Sequence, residues 1–381
     1  MVNYMTKKTR LIILLICIIC FSAIAPILVA YSMGYRFDFE KMKIVATGGI
    51  YVRTFPSADI ITIDSNISEK PGFLANSIFV QSLLPKNHTV FVIKDGYHDY
   101  SKTLTVEENK VTKLENILLI KNKIKFETVL TAGPTIQLSP FDKIEKYIIK
   151  NSNLYYSNAT ENATLTATQK TTPVIKGSIA FSLMNNNIIW LGSDGFLYQT
   201  DQSNLSTKPT KLILTPLKIS KDGYYKIATN GQNIFVINNG NLSILNTKIN
   251  SLDDPYGLAK DVKISPDGKN IIFYNDKDIY ILSILKTPVE KNILYKSSEK
   301  ISDITWLNND YIIFTTGDKI IVSEIDYRGS NINNVTLNET VTLSPDKKID
   351  IKSPKIYFDQ GSQKLYILTG KTLLLSEKIT P

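Results

Sequence analysis

Three groups of residues have types and spacings that could carry chemistry. Cys17 and Cys20 form a C-x-x-C pair, the spacing of redox dithiols and of half a zinc site. His88 and His98 are the only histidines and stand ten residues apart. Acids recur at Asp222-Gly223, Asp253-Asp254 and Asp267-Gly268, where a carboxylate could move a proton or hold calcium. Each group also has a plainer reading. Both cysteines lie inside an apolar run, where a thiol in hydrocarbon is inert. The histidines have no third ligand at metal spacing, and no His-Glu-x-x-His helix is present. Asp-Gly pairs are turn chemistry, and Asp253-Asp254 precedes Pro255-Tyr256-Gly257, a loop composition. There is no Gly-x-Ser-x-Gly elbow and no phosphate-cradling glycine loop. No histidine follows residue 98, so a Ser-His-Asp triad cannot be assembled from the C-terminal region. Several Asn-x-Ser/Thr sequons, for example Asn158-Ala159-Thr160 and Asn162-Ala163-Thr164, are chance products of an Asn-rich chain. No catalytic, cofactor-binding or metal-binding residue is assigned, and the chain reads as a non-enzyme.

The elements that would position any site follow from composition and pattern. Of the 381 residues, 43 % are apolar and 21 % charged, which is ordinary for a globular protein and excludes a disordered or collagen-like chain. Only one stretch is apolar enough to span a bilayer, which excludes a polytopic membrane protein. The net charge is +9, yet only Arg10, Arg36, Arg53 and Arg328 are arginines. Nucleic-acid readers cluster their basic residues and use arginine forks. Here the lysines are scattered, so no nucleic-acid partner is expected.

Lys7, Lys8 and Arg10 precede Leu11–Tyr31, a run of 21 residues without a charge. About 20 apolar residues cross the hydrocarbon core as a helix. Pro26 is tolerated there. Basic residues stay in the cytoplasm, so residues 1–10 form an inner tail and everything after the helix at 11–31 lies outside. Removing the three basic residues of the tail leaves 41 basic against 35 acidic ones, a net +6 on the remainder. A cleaved signal peptide is the alternative, with Ala23-Ile24-Ala25 or Leu28-Val29-Ala30 as the cleavage site. The run exceeds a usual signal core, which favours an uncleaved anchor. The exported part has no cysteine, hence no disulfide.

Residues 43–120 read as short half-buried strands in period-two alternation. They are Gly49–Thr54, Asp59–Asp64, Ser77–Val80 and Thr89–Ile93, with a turn at Asp95-Gly96. Lys102–Val106 and Val111–Leu114 then suggest a closing hairpin around Glu107–Lys110. The run Gly49–Asp59, then Leu83-Leu84-Pro85 with His88–Val92, then Asp95-Gly96-Tyr97 with Lys102-Thr103-Leu104 resembles a PEGA domain. The Glu-Gly of that family's name-giving tetrapeptide is absent before Ala58, and Lys86-Asn87 replace its usual glycine. The resemblance implies a small extracytoplasmic β-sandwich with no catalytic residue. Alternation alone also fits an immunoglobulin-like sandwich.

From Lys121 to Pro381 a strand-turn-strand pattern recurs. Its clearest copy runs from Ile264-Ser265-Pro266-Asp267-Gly268 through Ile271–Tyr274 to Asp278–Leu282. Ser139, Ser182, Ser220, Ser265, Ser302 and Ser353 mark six copies, 37 to 51 residues apart. A period of about 40–50 residues with several strands each belongs to propeller blades. The region resembles TolB-like and WD-repeat propellers, and the missing Gly-His and Trp-Asp pairs favour the TolB-like type. Two further β-sandwiches are the competing architecture. The expected fold is therefore all-β: an N-terminal transmembrane helix, a small PEGA-like β-sandwich over 43–120, and a β-propeller of about six blades over 121–381.

The expected function is a single-pass protein of the cell membrane with its C-terminal domains outside. It is non-catalytic, and it offers the propeller to an envelope protein or polysaccharide partner. The alternative is a hydrolase or lyase acting on envelope polymers through propeller carboxylates. Two or more acids on the innermost strands would discriminate the two. A sensor role is disfavoured by the short inner tail.

Overall fold

The computed structural model describes residues 7–72, 75–129, 141, 146–156, 172–329, 332–337, 341–343 and 351–380. The marker Ser139 and the sequons at Asn158 and Asn162 fall outside these residues. The chain divides into two compact units, one dominated by residues up to Ile120 and one beginning at Lys121.

The first unit opens with helix α1 (Lys7–Ser32), which contains Pro26 and is long and apolar enough to cross a membrane. Its 26 residues make about 39 Å of helix at 1.5 Å per residue. None of its side chains is buried. Gly34, at φ +87°, ends it with a left-handed residue, and the Gly34 N–H donates to Tyr31 O at 3.2 Å. The hairpin β1 (Tyr35–Asp38) and β2 (Lys43–Ala46) follows directly.

Two small sheets complete the unit. Their strands are β3 (Gly48–Phe55), β4 (Ile60–Ile63), β5 (Ile67–Glu69), β6 (Ser77–Leu83), β7 (Asn87–Ile93), β8 (Tyr100–Thr105) and β9 (Val111–Leu118). One sheet has the order β6-β3-β9 and the other β5-β4-β7-β8. Alternate residues of both form one core: Ile50 and Val52 from β3, Ile61 and Ile63 from β4, Val90 and Val92 from β7. The closing hairpin expected from the sequence is not formed. β8 pairs with β7, whereas β9 crosses to the other sheet and runs parallel to β3, with Val52 beside Leu114. The physical reason is burial. Val106, at the end of β8, and Leu114 and Ile117 of β9 all belong to the core between the sheets. A hairpin would put these residues in a single sheet.

The second unit is a β-propeller. Among the described residues it contains six successive sheets, numbered here as blades one to six. Blade four is the regular case: Asp261–Ile264, Asn270–Tyr274, Asp278–Ser283 and Glu290–Lys296 pair antiparallel in chain order. The first strands of consecutive blades lie side by side and are the innermost ones. They are Tyr147–Lys150, Ser178–Met184, Tyr225–Thr229, Asp261–Ile264, Ile301–Trp306 and Lys355–Asp359. Apolar clusters fill the spaces between blades. Ile189, Leu191 and Leu197 of blade two meet Ile227 and Val236 of blade three, and Phe235 and Ile237 meet Ile271 and Phe273 of blade four. Blade six is completed by the first strand of the unit, β10 (Ile124–Val129), which pairs antiparallel with Thr372–Lys378.

The serine markers do not share one structural position. Ser265 sits in the turn after a first strand, Ser220 and Ser353 precede one, and Ser182 and Ser302 lie within one. The five described markers occur once for each of blades two to six, in or beside the first strand, so their spacing follows the blades. It does not fix where a blade begins.

Candidate functional site

The residues singled out from the sequence do not converge. His88 is buried in the sandwich, with Nδ1 2.5 Å from Asp64 Oδ2 and Nε2 2.8 Å from Leu84 O. Asp64 Oδ1 in turn accepts the Thr89 N–H at 2.8 Å. The imidazole thus ties the start of β7 to the loops beside it. The backbone N–H of His98 donates to Ile120 O at 2.8 Å. Cys17 and Cys20 are exposed on α1. Asp267 caps its own turn: its Oδ1 accepts the Ser265 hydroxyl at 2.7 Å and the Lys269 N–H at 3.1 Å. Partial burial pushes its carboxyl up, but these hydrogen bonds and Lys269 outweigh that and hold it low. Gly223 N–H closes a turn onto Ser220 O at 3.1 Å. Asp253 accepts from Asn246 Nδ2 at 3.3 Å at the edge of blade three. Among the described residues no three His, Cys, Asp or Glu side chains form a metal-binding group.

A different set of side chains does come together, on the innermost strands. Asp261 opens the first strand of blade four, and Asp303 lies on that of blade five. Asp261 Oδ1 accepts the Val262 N–H at 2.7 Å and lies 2.5 Å from Lys226 Nζ of blade three. Its Oδ2 is 3.2 Å from Lys263 Nζ. Asp303 Oδ1 accepts the Ile304 N–H at 2.9 Å, and Oδ2 accepts the Ile356 N–H of blade six at 3.1 Å. The two carboxyls shift in opposite directions. Burial pushes Asp261 up, but Lys263 and Lys226 more than offset it and hold the group below its ordinary range. Burial pushes Asp303 up, and nearby Asp261 adds to the rise. Tyr274, on the second strand of blade four, is raised by burial and by both acids, so its phenol stays protonated.

Opposed shifts on two neighbouring acids are the signature of an acid and base pair. Here, however, every carboxylate oxygen already meets a donor from the protein itself. Asp261 binds blade four to blade three through Lys226, and Asp303 binds blade five to blade six through Ile356. Further polar ties join blades elsewhere. Trp306 Nε1 donates to Lys263 O at 3.1 Å, Asn230 Nδ2 to Gly268 O at 3.0 Å, and Gln360 Nε2 to Trp306 O at 2.9 Å.

Beside Lys226 the innermost strands of blades one to three line an open cavity of about 550 Å³. Tyr147, Ile149, Phe181 and Leu183 supply apolar wall, and Lys146 and Lys226 supply cations. The Tyr147 and Phe181 rings meet edge to face at 6.2 Å. Burial, then the Tyr156 hydroxyl, raises the Tyr147 phenol, which leaves it a neutral hydrogen-bonding group. A mostly apolar wall with a few polar groups is the usual make-up of a binding site.

Residues 47–121 match the PEGA domain. The match covers the sandwich and stops short of the propeller. No curated protein matches the chain. Among solved structures, the β-propeller domain of Myceliophthora thermophila Cps50 (Swd1) is 9 % identical, with 51 % of this chain and 62 % of that one aligned at a TM-score of 0.36. YCF48 bound to D1 peptide is 12 % identical, with 87 % and 94 % aligned at 0.38. The alignment thus spans less than two thirds of the first of these chains.

Sequence reasoning missed Asp261, Asp303, Lys226 and the cavity aromatics. A partial signal existed: Asp261-Val262-Lys263-Ile264 and Asp303-Ile304 place acids on first strands. Their partners come from other blades, tens of residues away, where local pattern does not reach.

Proposed function

We propose that this chain is a membrane-tethered, extracytoplasmic binding protein of the cell envelope. The PEGA domain over 43–120 stands between a single-pass anchor and the propeller over 121–381. Binding is centred on the cavity at the innermost strands of blades one to three. The observation that carries the reading is its wall: aromatic and aliphatic side chains with Lys146 beside them, Lys226 being paired with Asp261. Such a wall suits a protein segment that inserts an apolar side chain and carries acidic neighbours. The net +6 of the chain beyond its first ten residues favours an acidic partner at long range.

The test is site-specific photocrosslinking in intact cells with benzoylphenylalanine. Placed at Phe181 it should yield a discrete adduct, and placed at Leu285, an exposed position on blade four, it should not. Equal adducts from both positions, or none at Phe181, would overturn the assignment.

The second reading, a hydrolase or lyase of envelope polymers, draws on the opposed shifts of Asp261 and Asp303. It is weaker because both carboxylates are committed to inter-blade ties. If it holds, Asp303→Asn should abolish polymer cleavage by the purified chain while leaving its melting cooperative.

A further inference from the structure

The hairpin that follows α1 has its polarity reversed. In an antiparallel pair, directly opposed residues share a face. Phe37 opposes Ile44 and Tyr35 opposes Ala46 on one face, while Asp38 opposes Lys43 and Arg36 opposes Val45 on the other. A hairpin lying on a water-soluble domain turns its apolar face inward. Here Asp38 and Val45 are buried, at 2 % and 3 % exposure, and of the apolar face only Ala46, next to the sandwich in the chain, is buried, while Tyr35, Phe37 and Ile44 point out. Ile44 is 67 % exposed, and in the connecting turn Phe39 is 80 % and Met42 73 % exposed.

The inward polar face is organised to keep this arrangement. Asp38 Oδ1 accepts the N–H groups of Glu40 and Lys41 at 2.9 and 3.1 Å, which fixes the turn. Lys86 Nζ lies 2.8 Å from Glu40 Oε1 and ties the turn to the sandwich. The Phe37 and Phe39 rings hold each other edge to face at 5.0 Å. The outward apolar face is therefore a built feature and not a frayed end.

Its position names its partner. Only Met33 and Gly34 separate α1 from β1, and two residues reach at most about 7 Å. The base of the hairpin is also packed against the helix. Tyr35 lines an apolar groove with Pro26, Val29 and Met33. The Arg36 guanidinium lies 3.5 Å from the Tyr31 ring centroid and donates to Tyr31 O at 2.7 Å. With α1 about 39 Å long against a hydrocarbon core of about 30 Å, its last turn stands at the lipid–water boundary. Aromatic side chains are favoured at that level.

We infer that the β1–β2 hairpin lies on the outer leaflet of the bilayer, with Phe37, Phe39, Met42 and Ile44 inserted among the lipids. The hairpin then fixes the tilt at which the PEGA domain leaves the membrane, which a lone helix on a flexible joint would not do. The inference rests on the anchor reading of α1, and the experiment separates the two.

Full-length protein with Cys17→Ser and Cys20→Ser is reconstituted in vesicles of phosphatidylcholine and phosphatidylglycerol. A single NBD label is placed at Phe39→Cys, Met42→Cys, Leu15→Cys or Leu285→Cys. Quenching by headgroup-nitroxide lipids is compared with quenching by aqueous iodide. The inference expects lipid quenching several-fold stronger at Phe39 and Met42 than at Leu285, with iodide quenching reduced to match. Lipid-protected Leu15 with Phe39 and Met42 quenched like Leu285 overturns the hairpin inference alone. A blue-shifted label at Phe39 without lipid quenching also overturns it, because a protein, such as a second copy of this chain, then covers the face. Leu15 outside the lipid removes the anchor reading and the inference with it.

Discussion

Phe126 and Ser376 stand directly opposite one another, although 250 residues separate them in the chain. Phe126 belongs to the first strand of the propeller and is fully buried, and Ser376 lies on the last strand with its hydroxyl accepting the Leu365 N–H at 2.7 Å. The two ends of the unit are thus joined by a backbone ladder that neither end can form alone. Unpairing it leaves a sheet edge open, and open edges invite aggregation.

Loss of either end should therefore be equivalent. Deleting Gly361–Pro381 removes the partner of β10, and deleting Ile124–Val129 removes the partner of Thr372–Lys378. Both deletions should abolish cooperative unfolding, followed by the fluorescence of Trp190 and Trp306, the only tryptophans and both in the propeller. Phe126→Ala, which keeps the ladder but empties a core position, should cost about 3–5 kcal/mol in urea. A deletion variant that unfolds like the parent would sink the closure.

Asp261 and Asp303 should respond oppositely to pH. Asp261 has a folded-state value below the ordinary 3.8, so its contribution is present above that value and lost as pH falls through the lower, folded one. Asp261→Asn should cost about 1.5–3 kcal/mol at neutral pH, the worth of hydrogen bonds to a charged group, and the gap to the parent should narrow in acid. Asp303 has a raised value, so its charge is a burden above the folded value that disappears as pH falls toward 3.8. Asp303→Asn should therefore be tolerated better than Asp261→Asn at neutral pH. Urea midpoints of the two variants, followed from neutral pH down into acid, give the comparison. Parallel curves for both would refute the opposed roles.

Gly195 and Gly240 both adopt left-handed backbone, at φ +85° and +78°, but only one is crowded. A Cβ on Gly195 would stand 2.2 Å from the Leu217 carbonyl oxygen, whereas one on Gly240 meets open space. Gly240→Ala should cost about 1–2 kcal/mol from the backbone alone. Gly195→Ala should add a further 1–3 kcal/mol or so, because the loop at Leu217 must move. Thermal melts of the two variants should rank in that order.

Much of this architecture was legible because it depends on local pattern. The uncharged run Leu11–Tyr31 lies within α1, and each alternating run of the sandwich became a strand. What local pattern leaves open is which strand is the neighbour. Lys102–Val106 and Val111–Leu114 read as a hairpin from their turn, yet burial of Leu114 and Ile117 sends β9 across to β3. The marker serines track the blade period without sharing a phase, since any feature found once per blade recurs at that spacing. Asp261 and Asp303 were invisible for a related reason. A carboxylate on a strand reads as solvated until Lys226 or Ile356, from another blade, is brought against it.

The orientation of α1 is open to direct reversal. Lys7, Lys8 and Arg10 precede the apolar run, and no charge follows until Arg36. Basic residues near a span set which end stays in the cytoplasm, and acidic residues contribute little. With the basic end inside, alkaline phosphatase fused after Pro381 should be active, and a green fluorescent protein fused there should be dark. Neutralising all three residues to Gln removes the bias on the inner side and leaves Arg36, Lys41 and Lys43 close on the outer side. That variant should lose phosphatase activity and gain fluorescence in part of the population, because the hairpin now carries the greater positive charge. A parent chain whose fusion is fluorescent and phosphatase-inactive would place the PEGA domain and the propeller in the cytoplasm, and the envelope reading would end there.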